Sequence, residues 1–519
     1  MGTKNFSNAN DLITFSRSSA GTALRKIAYG SELVTNGTFD TDTDWTKGTG
    51  WSISGGQATH VAGTGSNLSQ SVSYGSAGTV YALSVDVVSI SGGSGSIQAR
   101  SGGTTTAKTI SSLDSGTTVT LIYGHDGLNT DVAITTGAGT NITVDNVSVK
   151  EVLFDDASGD LTLFNHPADI PRIEYDADGN VLGLLVEESR TNLVTYSEDF
   201  SLSPWSRVNV FITSDAAAGP DGVSSADLLV ASVVSSQHRL DLIPTSSAGT
   251  QTFSVYLKPD GYSDVWLRIG AIGSGFNLTD GSTFTTNAGI TATAQEVGNG
   301  WYRCSITTTS AAANATVRIN VLGSSSVADF AGDGTSGIYI YGAQLEAGAF
   351  PTSYIPTSGS TATRAADIAS IPVSAFGYNQ SEGSWLMEWD TADTDSVVAK
   401  YILSSGTSAR VMYNNAGTSA YYSFDGSAVS TYTAPTPITL DGSLIKAAYA
   451  ENESGSSVAH TGVLGTGSVN SDLLPNYNST YGWSIGNLNN NQGFLNGHIK
   501  SIKYFPRKLT AAQLQELTS

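Results

Sequence analysis

The sequence predicts an all-β protein made of tandem antiparallel β-sandwich or jelly-roll domains. Three observations lead there. Short runs alternate apolar and polar residues, as at Phe253, Val255 and Leu257, at Val265, Leu267 and Ile269, and at Val317, Ile319 and Val321, which is the period of half-buried strands. Turn-forming residues separate the runs: 57 glycines stand in 519 residues and only 13% of the chain is charged, a balance that suits pleated strands and tight turns. Finally, one long stretch occurs twice.

The first copy spans 31–152 and the second 192–350. Both open alike, with Leu33-Val34-Thr35, Phe39 and Trp45 against Leu193-Val194-Thr195, Phe200 and Trp205. Both carry Ser-Ala-Gly-Thr before a strand, at Ser76 to Thr79 and at Ser247 to Thr250. Both close on one spacing, Ile142, Val144, Val147 and Val149 against Ile338, Ile340, Ala343 and Leu345. Between the copies, Asp176, Gly179 and Asn180 supply the turn of a hairpin flanked by Arg172 to Tyr175 and Val181 to Val186, since Asp and Asn bond their own backbone and glycine accepts positive φ.

Composition bounds the partners. At 519 residues the chain is long enough for three or four domains of about 150 residues each. The net charge of −21 repels a phosphate backbone, so nucleic acid is not an expected partner. Cys304 stands alone, which excludes an intrachain disulfide and a thiol-rich zinc site. No apolar run approaches a membrane span and the start of the chain lacks a signal-peptide core, so no membrane insertion is expected and the protein is read as made in a cytoplasm. Gly2 does not open a myristoylation motif, because Phe6 stands where Ser or Thr is wanted.

The stretch PRIEYDADGNVLGLLVEESRTNLVTYSEDF from Pro171, the run Gly300-Trp301-Tyr302-Arg303, and YGAQLEAGAFPTSYIPTSGSTATRAAD from Tyr341 resemble motifs of bacteriophage tail-fibre and other virion surface proteins that carry carbohydrate-binding-module-like jelly rolls. The resemblance covers roughly residues 10–365. In that family a segment like Ile13 to Gly21 closely precedes the PRIEY-like hairpin, whereas here about 130 residues intervene. The first module therefore reads as an insertion into an N-terminal β unit of residues 1–30 and 153–191, expected to attach to the virion. Residues 351–382 read as a linker. From 383 to 519, the opening strand Ser384 to Trp389, the Trp483 to Gly486 strand and the ending Phe494 to Tyr504 resemble a laminin-G or concanavalin-like lectin domain. Thr510 and Gln513 form a capping box for a short last helix with Ala511, Leu514 and Leu517 on one stripe.

Few motifs carry chemistry. Gly332 to Gly337 matches a dinucleotide fingerprint, but a strand and not a helix follows, so it reads as a β-turn loop. Glu388, Asp390 and Asp393 have the strand spacing of laminarinase-like glycosidases, with a shorter Asp in the third place; a structural strand edge explains them as well, and no catalytic residue is assigned. Asp40, Asp42 and Asp44 begin like an EF-hand loop, but Trp45 replaces its glycine and Trp51 its glutamate. No cofactor is expected, and a structural calcium outside that class stays open. Tyr477 and Tyr481 near Asn489 and Asn491 pair aromatic faces with amides, the chemistry of a carbohydrate-binding site, although turn chemistry accounts for the asparagines equally. Trp266 and Trp301 read as core.

The combined expectation is a non-enzymatic virion structural protein, a tail fibre or spike, that binds bacterial surface glycans for host attachment. The resemblance implies a homotrimer in contact with other virion proteins. A glycan depolymerase using Glu388 and Asp393, and a capsid decoration or head fibre without a receptor, are the alternatives.

Overall fold

The computed structural model describes residues 13–101, 105–323, 326–379, 381–393, 400–405, 409–413, 420–424, 429–433, 443–452, 455–467, 482–488 and 493–519. It is an all-β, antiparallel structure in which pairs of sheets enclose apolar cores. Its chain divides into two compact units, one of residues 1–25, 161–164 and 171–519, the other of 26–160 and 165–170.

The smaller unit is the first module. One sheet runs in the order Thr46–Lys47, Asn67–Ser71, Asn129–Thr136, Gly95–Ser101, Thr105–Ile110. Facing it are Thr117–Gly124, Val80–Ser91 and Asn141–Phe154, with Gln57–His60 and then Trp51–Ser54 beyond. Alternate residues fill the space between, among them Leu68, Leu83, Val85, Ile97, Ile134, Val144 and Val149. The strand that enters this unit and the strand that ends it lie side by side, with Ile27 opposite Phe154 and Ala28 opposite Leu153.

The second module repeats that order within the larger unit. Ser206–Val208, His238–Leu242, Val317–Val321, Asp264–Ile269 and Ile272–Asn277 form one sheet, extended by Thr283–Phe284. Val210–Ala218, Ser224–Ala231, Gly337–Ala347, Gly249–Asp260, Tyr302–Ala311 and Ile290–Glu296 form the other. The shared openings are also built alike: the indole N–H of Trp45 donates to the Asn36 carbonyl at 3.0 Å and that of Trp205 to the Tyr196 carbonyl at 2.8 Å. Each indole lies against its phenylalanine, Phe39 at 5.4 Å and Phe200 at 5.1 Å between ring centroids.

The larger unit contains a further sandwich around Trp385, Met387, Trp389, Trp483 and Ile485. The structure distributes its strands differently from the sequence expectation. Residues 153–191 and the start of the chain do not stand as a separate β unit: Thr14–Ser16 pairs with Ile368–Ile371 in one sheet of this sandwich, and the hairpin Ile173–Tyr175 with Val181–Val186 joins Gly497–Phe505 in the other. A lone hairpin is marginal in water, and the edge of a larger sheet supplies the missing partner. The hairpin turn itself forms as the sequence dictates, with Gly179 at φ +78° and the Asn180 N–H donating to the Asp176 carboxylate at 2.8 Å. Nor is 351–382 a bare linker. Tyr354 and Ile355 are buried, Ala362–Arg364 pairs with Arg190–Asn192, and Ile368–Ile371 belongs to the sandwich. The final helix, Ala511–Thr518, carries the capping box of Thr510 and Gln513 and buries Leu514.

What ties this unit together is ionic and buried. Arg17, Arg172 and Arg364 are each at most 1% exposed. Arg17 Nη1 lies 3.1 Å from Asp367 Oδ1, Arg172 Nη2 pairs with both Glu187 (2.8 Å) and Asp367, and Arg364 Nη2 lies 3.4 Å from Glu187. Ser353 N–H donates to Glu187 at 2.7 Å, and the Glu187 N–H to Asp367 at 2.9 Å. Burial alone would raise the Glu187 carboxyl, but Arg364 and Arg172 hold it well below the usual carboxylate range. Burial and the neighbouring Arg172 lower Arg17 to about 10. Segments far apart in sequence, around Arg17, Arg172, Glu187 and Asp367, thus converge on one charge network.

Candidate functional site

The strand Asp264–Ile269 shows how the sequence builds a site on the outside of a sandwich. Successive side chains of a strand point to opposite faces, so Val265, Leu267 and Ile269 enter the core while Asp264, Trp266 and Arg268 turn outward. Its neighbours keep the same parity. Trp266 stands between Asn320 and Gly275, and Arg268 between Arg318 and Gly273. One strand further, Arg239 is opposite Asn320 and Asp241 opposite Arg318. The outer face therefore carries two rows: Gly275, Trp266, Asn320, Arg239, and Gly273, Arg268, Arg318, Asp241.

The glycines make this face a cleft. A Cβ on Gly275 would meet the Phe284 ring at 2.2 Å, and one on Gly273 would come within 2.8 Å of the Trp266 indole nitrogen. Their bare backbone lets both aromatic rings settle against the sheet. The cleft encloses about 320 Å³, with Trp266, Phe284, Arg268, Arg318, Asn320 and Gln237 among its walls.

Its polar groups are incompletely satisfied. Asn320 is 4% exposed, yet its Oδ1 accepts no hydrogen bond; leaving a buried acceptor unpaired costs about 1–3 kcal/mol. Arg268 Nε is likewise buried without a partner. By contrast Arg318 grips Asp241 through Nε at 2.5 Å and Nη2 at 3.1 Å, and Arg239 Nε shares that carboxylate at 3.0 Å. Burial would raise the Asp241 carboxyl, but the two guanidiniums bring it below its ordinary value. An aromatic face, an amide and a guanidinium around a cleft of this size can stack on a sugar ring and bond its hydroxyls.

Trp266 therefore departs from its sequence reading as core, whereas Trp301 is 1% exposed and packs with Leu24, Leu163, Tyr256 and Tyr354. The signal was present in the alternation: Trp266 shares parity with Asp264 and Arg268, not with the apolar set. The expected carbohydrate-binding residues Tyr477, Tyr481, Asn489 and Asn491 lie outside the described residues. Asn487 beside them is buried and serves the scaffold, donating to the Asp367 carbonyl at 3.2 Å and accepting the Ser404 hydroxyl at 2.8 Å.

The three carboxylates with glycosidase-like spacing go to separate partners. Glu388 accepts the Ser501 hydroxyl at 3.2 Å, Asp390 takes His498 Nδ1 at 2.9 Å, and buried Asp393 pairs with Lys400. His498 Nε2 meets Glu174 at 2.7 Å, so this ring bridges two carboxylates. Burial would lower it, but the bonds to Asp390 and Glu174 prevail and bring it up to about 10.

In the first module, Asp40 accepts the Thr38 hydroxyl at 2.8 Å, Asp44 that of Thr43 at 2.7 Å, and Asp42 pairs with Lys47. Among the described residues no group of three or more His, Cys, Asp or Glu side chains is placed to hold a metal ion. No helix among them is long and apolar enough to cross a membrane. At Gly332 to Gly337, Asp333 accepts the N–H groups of Thr335 at 2.8 Å and Ser336 at 2.6 Å, making a turn before the strand Gly337–Ala347.

No protein-family model matches the chain, and no curated protein matches its sequence. Among solved structures, the N-terminal CBM22-1-CBM22-2 tandem domain of Xyn10C from Paenibacillus barcinonensis is similar over 62% of this chain and 99% of that one, at 14% sequence identity and a TM-score of 0.21. A likeness that loose transfers neither a site nor a ligand.

Proposed function

We propose that this chain is a non-catalytic glycan-binding protein whose second module holds sugar in the outer cleft. The observation that carries the reading is the row Gly275, Trp266, Asn320. A half-buried indole lines an outward cleft with the Phe284 ring that lies over Gly275, next to a buried amide oxygen with no donor. A sugar supplies both missing partners, ring C–H groups for the indole and a hydroxyl for the amide.

The finer assignment rests on the motif resemblance: a bacteriophage tail fibre or spike on the virion surface, homotrimeric, attaching to host surface glycans, with residues 383–519 as a laminin-G-like lectin domain. Several weak sites on one particle would then act together through avidity. The separate partners of Glu388 and Asp393 favour binding over hydrolysis.

Binding of the purified chain to bacterial surface polysaccharides tests the reading, with Trp266→Ala as control. Retention on a polysaccharide that Trp266→Ala abolishes is expected. Retention unaffected by that substitution would move the site elsewhere, and release of new reducing ends that Glu388→Gln stops would replace binding by catalysis.

A further inference from the structure

The second row of the cleft is charged in a way that stability does not explain. Arg268 and Arg318 occupy directly opposed positions on paired strands, and like charges so placed are destabilising. Asp241 relieves only part of this, because Arg318 and Arg239 already share it. Asp264, the one carboxylate on the strand that carries Arg268, accepts from the Asn277 amide at 2.8 Å and the Ser326 hydroxyl at 2.7 Å. Among the described residues Arg268 has no ion pair or hydrogen bond, and no acidic side chain lines the cleft. Burial first, and then the charge of Arg318, lower its guanidinium from the ordinary arginine value. This local excess of positive charge sits in a chain whose net charge is −21.

Resting on the glycan reading above, we infer that the cleft selects an acidic polysaccharide, one whose repeat includes a carboxylate-bearing sugar, with the carboxylate on Arg268 and the ring against Trp266. A guanidinium offers a planar pair of donors that matches a carboxylate, and an ammonium does not. The ligand's negative charge also relieves the repulsion between Arg268 and Arg318. Because the rest of the protein is acidic, a polyanion is held only where this cleft engages it, and unspecific attraction is disfavoured.

The test is affinity electrophoresis and calorimetry of the whole chain against carboxylated polymers (pectate, alginate, hyaluronan) and neutral ones (fully methyl-esterified pectin, dextran, xylan). The wild-type protein is expected to bind at least one carboxylated polymer at least tenfold more tightly than any neutral one, and less tightly as salt rises. Arg268→Gln should remove that preference and Arg268→Lys restore only part of it; neither should lower thermal unfolding, and Arg268→Gln, which removes the repulsion with Arg318, should raise it slightly. Equal affinity for pectate and its methyl ester, or a preference that survives Arg268→Gln, would overturn the inference while leaving the glycan reading intact if Trp266→Ala still abolishes binding. Failure to bind any polymer, or binding that Trp266→Ala does not touch, would overturn both.

Discussion

The two modules share a strand order but present different surfaces. On the outward side of Gly95–Ser101 the first module places Ser96, Gln98 and Arg100 opposite Thr135, Ala133 and Asp131. The Ser96 and Thr135 hydroxyls bond each other at 2.6 Å, Arg100 pairs with Asp131, and the next strand contributes Thr109 and Ala107. In the second module the matching strand carries Trp266 and Arg268, opposite Asn320 and Arg318, and the next strand contributes only Gly275 and Gly273. One face closes on itself. The other leaves a ring, an acceptor and a cation without partners. Inward, the sets are alike in kind, Ile97, Ala99 and Ile134 against Val265, Leu267 and Ile319. Because a strand assigns alternate residues to opposite faces, a duplicated sandwich can keep its core and change its surface residue by residue.

The largest effect should come from the scaffold, and it would show that the motif residues serve structure. Asp367→Asn leaves Arg17 and Arg172 buried with too little counter-charge, which should cost about 3–5 kcal/mol. Denaturant unfolding followed by hydrogen exchange should show the loss in the larger unit, with amide protection of the first module retained. A loss below ~1 kcal/mol would deny the network its role.

Next comes the contrast between the faces. Trp266→Ala should weaken glycan binding by at least about 2 kcal/mol, roughly thirtyfold, whereas Gln98→Ala in the first module should change nothing measurable by calorimetry. Equal losses would mean that both faces bind. A smaller change refines the same contrast. Gly275→Ala puts a methyl 2.2 Å from the Phe284 ring and must push that ring outward; since the strand Thr283–Phe284 is a sheet edge, stability should fall by only about 1 kcal/mol while affinity drops several-fold.

The smallest effect is one of pH. His498 is raised to about 10 by its two carboxylate partners, against an ordinary imidazole value of 6.5. A basic group raised on folding adds stability that is complete below the unfolded value and lost as pH climbs through the folded one. The larger unit should therefore lose stability between about pH 6.5 and 10, and His498→Gln should flatten that slope in denaturant titrations at stepped pH. A slope unchanged by the substitution would assign it to other groups.

Much of the scaffold was legible in the chain, because turn chemistry and period-two alternation act locally. The hairpin at Asp176 and the cap at Thr510 follow from a few neighbouring residues. The ownership of strands was not legible. Nothing near Thr14 or Val181 states that it will complete the sandwich around Trp385, since an edge strand is chosen by the free edges available and not by its own sequence. The cleft was legible in part. Parity placed Trp266 outward with Arg268, but its value depends on Gly273 and Gly275 one strand away and on Asn320 some fifty residues on, and cross-strand neighbours are fixed only by register.

Ile27 lying opposite Phe154 has a consequence for how such a chain can be altered. A segment whose two ends emerge together can be cut out, or exchanged for another of unrelated sequence, by closing a gap of a few ångströms. The first module is in that sense a replaceable cartridge, joined to the chain at one point where an exchange leaves the remainder unchanged.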